Sequence, residues 1–190
     1  MSALPSPLMT AQEYLELERK AAFKSEFLNG EMFAMAGASF PHNRLVWNLI
    51  NIFGGQLRPP CQGVPSDMRV FIPATGLYTY PDLVVVCGPP QFADDHVDTL
   101  LNPTLVAEIL SPSTESYDRG RKFEHYSSIP SLSTYVLVAS DRVHVDVYTR
   151  QPDQNWLRTS AGASQEIALS SIGCQVSIDE LYAGVELDRA

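Results

Sequence analysis

The chain has 190 residues, of which 45% are hydrophobic and 18% are charged. These values are typical of a globular protein of about one domain and exclude an intrinsically disordered chain. The formal net charge of −9 argues against strong non-specific binding to nucleic acid, which needs a basic surface. It does not exclude nuclease chemistry, because acids that gather around a metal ion contribute to the total.

The termini and the cysteines bear on location. No apolar run approaches the ~20 residues that a membrane helix needs, so we expect no membrane partner. Residues 1–9 lack a signal-peptide pattern and are expected to form a disordered tail. Cys61, Cys87 and Cys174 are scattered, which is more typical of a reducing compartment than of a disulfide framework. We therefore predict a cytoplasmic protein with a single domain over residues 1–190.

Two helices are predicted in the first part of the chain. Thr10 and Glu13 form a capping box, which starts a helix that extends to about residue 23. Ser39 is the candidate cap of a second helix over about residues 41–57. The candidate core residues of the two helices are Tyr14, Leu15, Ala21, Ala22, Leu45, Leu49, Ile52 and Phe53.

A β-hairpin is predicted between these helices. Asn29-Gly30 stands between two apolar-rich runs, which is a strong hairpin signal. A two-residue turn pairs Leu28 with Glu31 and places Glu26 opposite Phe33. Both glutamates then lie on the same face of the hairpin.

Two apolar runs in the middle of the chain each carry an acid where a buried strand should not have one. Asp82 leads directly into the run 83–87, and Glu108 lies within the run 105–110. A buried carboxylate is costly unless a metal ion or a basic group compensates it. The acids are 26 residues apart (108 minus 82), a spacing that allows neighbouring strands.

The remaining elements determine the fold class. Helices are predicted over residues 116–127 and 178–183, and further strands over 68–73, 134–139, 143–149, 156–159 and 167–169. The apolar alternation of 143–149 suits either an interface or a second sheet layer. This order predicts a mixed α/β (α+β) domain, with a mixed β-sheet flanked by helices, and not a doubly wound parallel sheet.

The two acids, followed by the basic cluster Arg119-Gly120-Arg121-Lys122, suggest metal chemistry. Mg2+ prefers oxygen ligands and keeps several waters, so Asp82, Glu108 and the backbone carbonyl of Ile109 form a candidate cradle. A bound metal would activate water, and a lysine could orient that water or stabilise the phosphate. The pattern predicts metal-assisted hydrolysis of a phosphodiester.

These residues resemble a known superfamily. Pro81-Asp82, then Glu108-Ile109-Leu110, then Lys122 is similar to the motif of the PD-(D/E)XK, or restriction-endonuclease-like, nucleases. The wider pattern is similar to the Uma-type bacterial restriction endonuclease family over roughly residues 10–185. The stretches that carry the resemblance are 26–31, 42–43, 66–70, 80–86, 108–114, 118–123 and Tyr126.

The resemblance implies a restriction-endonuclease-like core and a metal-dependent endonuclease that hydrolyses DNA, with Mg2+ or Mn2+ as cofactor. It also implies a homodimer, because such nucleases commonly pair to cut two strands. Asp82 and Glu108 would hold the metal, and an N-terminal glutamate, Glu26 or in reserve Glu31, would join them. The candidate substrate-binding residues are His42, Arg119 and Arg121.

One departure from the superfamily concerns the lysine. Leu110 stands where the motif normally has lysine, so the resemblance maps that function to Lys122. Lys122 could instead lie on a helix surface, paired with Asp118 four residues earlier. Arg119 and Arg121 compete for the same space.

Other interpretations of the site residues stay open. Asp82 could be a solvated acid at a strand start, Glu108 an outward acid on an edge strand, and Glu26 a surface acid. His42 could simply cap or pack against its helix. Two other functions remain: a catalytically inactive nuclease-like binding or assembly module, and a hydrolase of small phosphate esters.

Overall fold

The computed structural model describes residues 8–187. The tail predicted over residues 1–9 therefore lies mostly outside the described residues. The helices are α1 (Ala11–Glu18), α2 (Phe40–Gln56), α3 (Glu115–Tyr117), α4 (Phe123–Ser127) and α5 (Ile178–Leu181). A π-helical turn, Asp118–Lys122, joins α3 to α4 and is called the π turn below.

The strands form two larger sheets and one small one. They are β1 (Ser25–Leu28), β2 (Glu31–Ala34), β3 (Cys61–Pro65), β4 (Arg69–Ile72), β5 (Leu77–Thr79), β6 (Leu83–Cys87), β7 (Thr99–Leu100), β8 (Leu105–Leu110), β9 (Thr134–Ala139), β10 (Val145–Arg150), β11 (Trp156–Ala161), β12 (Glu166–Leu169) and β13 (Cys174–Ser177). The six-stranded sheet has the order β11-β10-β9-β8-β6-β3, and the five-stranded sheet has the order β2-β1-β5-β4-β7. In the six-stranded sheet, β8 and β9 are parallel and the other pairs are antiparallel. The predicted mixed α/β fold class is confirmed.

The central strands of the six-stranded sheet, β6, β8 and β9, are buried on both faces, which explains their continuous apolar runs. One face packs against Leu45, Leu49 and Phe53 of α2, together with β12, β13 and α5. The other face packs against the five-stranded sheet and against Tyr126 of α4. Val145 and Val147 contact the first of these layers, as the predicted second sheet layer requires.

The hairpin prediction is confirmed residue by residue. Leu28 pairs with Glu31 and Glu26 pairs with Phe33 in the β1–β2 ladder. Asn29 and Gly30 both have positive φ, at 53° and 87°, as a two-residue turn of this kind needs. The backbone pairing of the hairpin therefore determines the face from which the Glu26 side chain projects.

Helix α1 is shorter than predicted. It ends at Glu18, because the Glu18 carboxylate accepts hydrogen bonds from the N–H and hydroxyl of Ser25 and turns the chain back toward β1. Ala21 and Ala22, predicted as core residues, are exposed beyond this turn. The core of this region is instead Tyr14, Leu15, Phe27 and Tyr78.

The cysteine interpretation is wrong for two of the three residues. Cys61 and Cys87 face each other in the β3–β6 ladder and form a disulfide. Strand β3 was not predicted, so its pairing with β6 could not be anticipated. Cys174 is a buried free thiol.

Within residues 8–187, every helix is too short or too polar to cross a membrane.

Candidate active site

Asp82 and Glu108 face each other across two neighbouring strands. Leu83 of β6 pairs with Ala107 of β8, and one step further along this antiparallel register Asp82 stands opposite Glu108. Opposite residues of an antiparallel pair project from the same face. Asp82 Oδ2 accepts a hydrogen bond from the N–H of Ile109 at 2.7 Å, which ties the first acid to the strand of the second.

Glu108 lies in the interior of the protein and is only 4% exposed. Its strand has neighbours on both sides, so the interpretation of an outward acid on an edge strand is wrong. Burial raises the pKa of Glu108, Asp118 and Asp82 raise it further, and the Lys122 ammonium opposes them, with a result of about 8. Oε1 of Glu108 accepts a hydrogen bond from the Tyr126 hydroxyl at 2.9 Å.

Lys122 sits among carboxylates in the same place. Its Nζ lies 2.9 Å from Glu108 Oε1, 3.3 Å from Glu26 Oε1 and 3.5 Å from Asp118 Oδ1. Burial by itself lowers the pKa of Lys122, but these carboxylates outweigh burial and raise the pKa well above its usual value. The predicted helical pair with Asp118 exists, yet both side chains are buried in the site and not on a helix surface.

The π turn carries both residues of that pair. π-helical turns are rare and occur frequently at functional sites. Here Asp118 and Lys122 are the two buried residues of the turn. Sequence periodicity does not distinguish this turn from ordinary helix, so its position could not be predicted.

Of the two hairpin glutamates, Glu26 joins the site. Its Oε1 accepts a hydrogen bond from the Thr79 hydroxyl, and Tyr117 donates to Oε2 at 3.4 Å. Glu31 is exposed and does not line the cleft. Although both residues project from one face, Glu26 is nearer the centre of the sheet, because β1 also pairs with β5.

His42 contacts Asp82 directly. Its Nε2 lies 3.2 Å from Asp82 Oδ2, and the side chain is mostly buried. It stands in the first turn of α2, whose cap is Ser39 as predicted. His42 therefore lies within the site, beside one of the candidate metal carboxylates.

The structure does not bring the two arginines into this group. Arg119 forms ion pairs with Glu115 and with the fully buried Asp146, on the other side of the π turn. Arg121 is exposed. Neither residue lines the cleft that contains Asp82 and Glu108.

Asp118, Tyr126 and Tyr117 belong to the site but were not assigned to it from the sequence. Asp118 was interpreted as a helix partner of Lys122, and burial raises the pKa of its carboxyl against the opposing effect of that ammonium. Tyr126 was named as part of the family resemblance, but no role in the site was assigned to it. The spacing Asp118, Lys122, Tyr126 (i, i+4, i+8) was the signal that could have joined all three on one helix face.

A cleft of about 450 Å³ opens onto these side chains. Its floor is formed by the acids and Lys122. Its rim consists of the end of β2 and the segment that follows it, the start of α2 and the turn that precedes α3, namely residues 33–39, His42 and residues 111–114. A small polar substrate or a strand of a larger one can therefore approach the acids from this side.

The residues of the cleft fit a divalent cation. Among residues 8–187, no three His, Cys, Asp or Glu side chains are grouped closely enough to hold a metal by themselves. Mg2+ needs fewer, because it is commonly held by one or two carboxylates together with waters and substrate phosphates. Asp82 and Glu108 supply two carboxylates. The Ile109 carbonyl points to the same side of β8 as its N–H, which faces Asp82.

Charge in the cleft favours a cation as well. Glu26, Asp82, Glu108 and Asp118 line it, and Lys122 is the lysine among them. Burial raises the pKa of Glu108 most, and the carboxylates of Asp118 and Asp82 raise it further. Binding of a cation would relieve that electrostatic cost.

Comparison with known protein families agrees with the resemblance found in the sequence. Residues 11–179 match the family model described as "Uma2: Putative restriction endonuclease". The chain belongs to the Uma2 family. The resemblance found in the sequence motifs is therefore confirmed, and the matched residues contain every residue of the cleft described above.

Two cyanobacterial relatives extend over nearly the whole chain. The protein named "Uncharacterized protein slr1290" of Synechocystis sp. is 37% identical over 182 residues, which cover 95% of each chain. "Uncharacterized protein sll1609" of the same organism is 37% identical over 172 residues, or 90% of this chain and 97% of the relative. These two relatives therefore match this chain in length as well as in sequence.

The fold of this Uma2 protein also matches a solved structure. The crystal structure of "a putative nuclease belonging to DUF820" from Anabaena variabilis superposes with a TM-score of 0.73. The match covers 92% of this chain and 97% of the other, at 19% sequence identity. At this identity the comparison establishes the shared fold.

Proposed function

We propose that this protein is a metal-dependent endonuclease that hydrolyses DNA phosphodiester bonds with Mg2+ or Mn2+. The observation that carries the proposal is the placement of Asp82 opposite Glu108, with the Lys122 ammonium 2.9 Å from Glu108 Oε1. Membership of a family described as restriction endonucleases supports DNA as the substrate.

Each residue has a proposed role. Asp82 and Glu108 hold the cation, with the Ile109 carbonyl as a further ligand and Glu26 as a neighbouring acid. When bound, the cation supplies an activated water and neutralises charge on the phosphate. Because the acids are fixed on adjacent strands of a buried sheet, their separation is set before substrate arrives.

Lys122 has the proposed role of the superfamily's lysine. Its ammonium is held in the cleft by three carboxylates and stays protonated, since those carboxylates raise its pKa. A buried, fixed cation can orient the attacking water or stabilise negative charge that develops on the phosphate. Leu110, at the usual lysine position, is 2% exposed and packs in the core, where it cannot serve.

The proposal is tested by incubation of the purified protein with supercoiled plasmid and Mg2+ or Mn2+. We expect nicked or linear DNA from wild type and none from Asp82→Ala. The matched control is Asp67→Ala, which removes an exposed acid that pairs with Lys24 outside the cleft. Equal cleavage by wild type and Asp82→Ala would contradict the proposed nuclease activity of this site.

A catalytically inactive binding or assembly module is the second candidate. The observation that favours it is the engagement of Lys122 by three carboxylates, which leaves the ammonium paired before any substrate binds. Calorimetry separates the two. A nuclease binds Mn2+ in a manner that depends on Asp82 and Glu108, and an inactive module does not.

We further propose that the protein acts as a homodimer, in which two clefts face the two strands of DNA. Light scattering after size-exclusion chromatography tests this directly. A species of twice the monomer mass is expected, and a purely monomeric protein that still linearises plasmid contradicts it.

A further inference from the structure

One oxygen of Asp82 accepts a hydrogen bond from the backbone and also lies close to the His42 ring. The Ile109 N–H lies 2.7 Å from Oδ2, and His42 Nε2 lies 3.2 Å from the same atom. Oδ1 of Asp82 takes part in no hydrogen bond within residues 8–187. These two contacts to Oδ2 therefore restrict the orientation of the carboxylate and leave Oδ1 as the oxygen available to a cation.

Nε2 is the nitrogen of the His42 ring that faces the Asp82 carboxylate, at 3.2 Å from Oδ2. Nδ1 is buried without a hydrogen-bond partner among the described residues, so the ring has no second contact that competes for its orientation.

The backbone holds His42 in this position. It lies in the first turn of α2, where the Ser39 hydroxyl accepts the His42 N–H at 3.3 Å. One and two turns later Leu45 and Leu49 are fully buried against the large sheet. The ring is therefore presented by a rigid helix that packs on the strands carrying both acids.

We propose that His42 is a positioning residue for Asp82, and not a contact to substrate phosphate. Carboxylates that bind metals are commonly oriented by such partners, and their loss typically reduces metal affinity about 10–100-fold. The inference rests on the proposed function for the use of the cation in catalysis. Its own content is narrower: His42 sets the affinity of Asp82 for a divalent cation.

The test uses Mn2+ alone, titrated into the full-length protein by calorimetry. His42→Leu removes the donor, and His42→Gln restores an N–H at similar reach. We expect His42→Leu to weaken Mn2+ binding about 10–100-fold and His42→Gln to recover most of that loss. Asp82→Ala should abolish binding, and thermal unfolding without metal should confirm that the variants are folded.

A second measurement does not need a variant. Long-range ¹H–¹⁵N NMR of the metal-free protein should show that Nε2 of His42 carries a proton, as a donor to Asp82 must. An Nε2 without a proton overturns the proposal, whether or not His42→Leu folds.

The outcomes distinguish this inference from the proposed function. Unchanged Mn2+ affinity in folded His42→Leu, with binding lost in Asp82→Ala, overturns the role of His42 alone. Unchanged affinity in Asp82→Ala overturns both. A third outcome is that His42→Leu binds DNA more weakly in the absence of metal but keeps its Mn2+ affinity. This would indicate that His42 contacts the substrate, and it also overturns the proposal.

Discussion

Lys122 Nζ and Glu108 Oε1 lie 2.9 Å apart, and the two residues are only 5% and 4% exposed. One residue comes from the π turn and the other from the centre of the large sheet. Truncation of one partner of a buried ion pair is costly, because the other charge is left uncompensated. The pair therefore couples the helical segment to the strands and makes the charge of the cleft sensitive to either residue.

Replacement of Lys122 by methionine should reduce cleavage about 10²–10³-fold, the usual cost of losing one electrostatic contact to the transition state. Mn2+ binding should persist, because both metal carboxylates remain and a competing cation has gone. Rates on plasmid DNA and calorimetry measure the two effects. The matched control is Arg121→Met, an exposed position of the same turn that should retain full activity. Wild-type cleavage by Lys122→Met would remove lysine from the mechanism.

The two hairpin glutamates provide an internally matched pair. Glu26→Gln removes a carboxylate 3.3 Å from Lys122 Nζ, whereas Glu31→Gln changes an exposed residue on the same face. We expect Glu26→Gln to lower cleavage about 10-fold or more, as is usual for groups that orient a metal site. Glu31→Gln should match wild type. The same loss in both variants would indicate a general effect of hairpin charge.

The strands and the hairpin could be predicted from the sequence because their signals are local. The runs 83–87 and 105–110 are apolar on both faces, and their predicted bounds agree with β6 and β8. Asn29-Gly30 specified the register of β1 and β2, and with it the direction of Glu26. These features predicted the positions of Glu26, Asp82 and Glu108, which are three of the four acids of the cleft.

The remaining features depend on tertiary contacts that have no local signal. Strand β3, Cys61–Pro65, contains glycine and proline and shows no alternation of apolar and polar residues. The strand was therefore not predicted, and neither was the disulfide between Cys61 and Cys87. The face of the helix that carries Lys122 is defined by packing of Tyr126 and by the π turn. Arg119 was a candidate for the site on sequence proximity, but its side chain forms an ion pair with the buried Asp146 on β10 and does not line the cleft.

Tyr126 stabilises the charged form of Glu108 and so opposes the rise of its pKa that burial causes. Its hydroxyl donates to Glu108 Oε1 at 2.9 Å in a fully buried position. Tyr126→Phe should raise the pKa of Glu108 above its present value of about 8, because a hydrogen bond to the charged form is lost. We expect the pH at which cleavage reaches half its maximum to move upward. Tyr117→Phe, which removes a longer 3.4 Å bond to Glu26, is the control and should move it less.

Asp146 gives a prediction for stability that is separate from the cleft. This fully buried carboxylate accepts hydrogen bonds from Ser160, Arg119 and Arg158. Burial by itself raises the pKa of Asp146, but these bonds outweigh burial and lower it to about 2 from a usual 3.8. A lowered pKa means that the stabilisation is present above about pH 4 and is lost as the pH falls toward 2.

Asp146→Asn should therefore be less stable than wild type at pH 6, by on the order of 2 kcal/mol, a value that follows from about 1.4 kcal/mol per pKa unit. The difference should shrink as the pH falls from 4 toward 2, because wild type then loses the same charge. Urea unfolding across this range measures it, with the exposed Asp95→Asn as the control. A difference that stays constant with pH would show that the carboxylate charge does not stabilise this network.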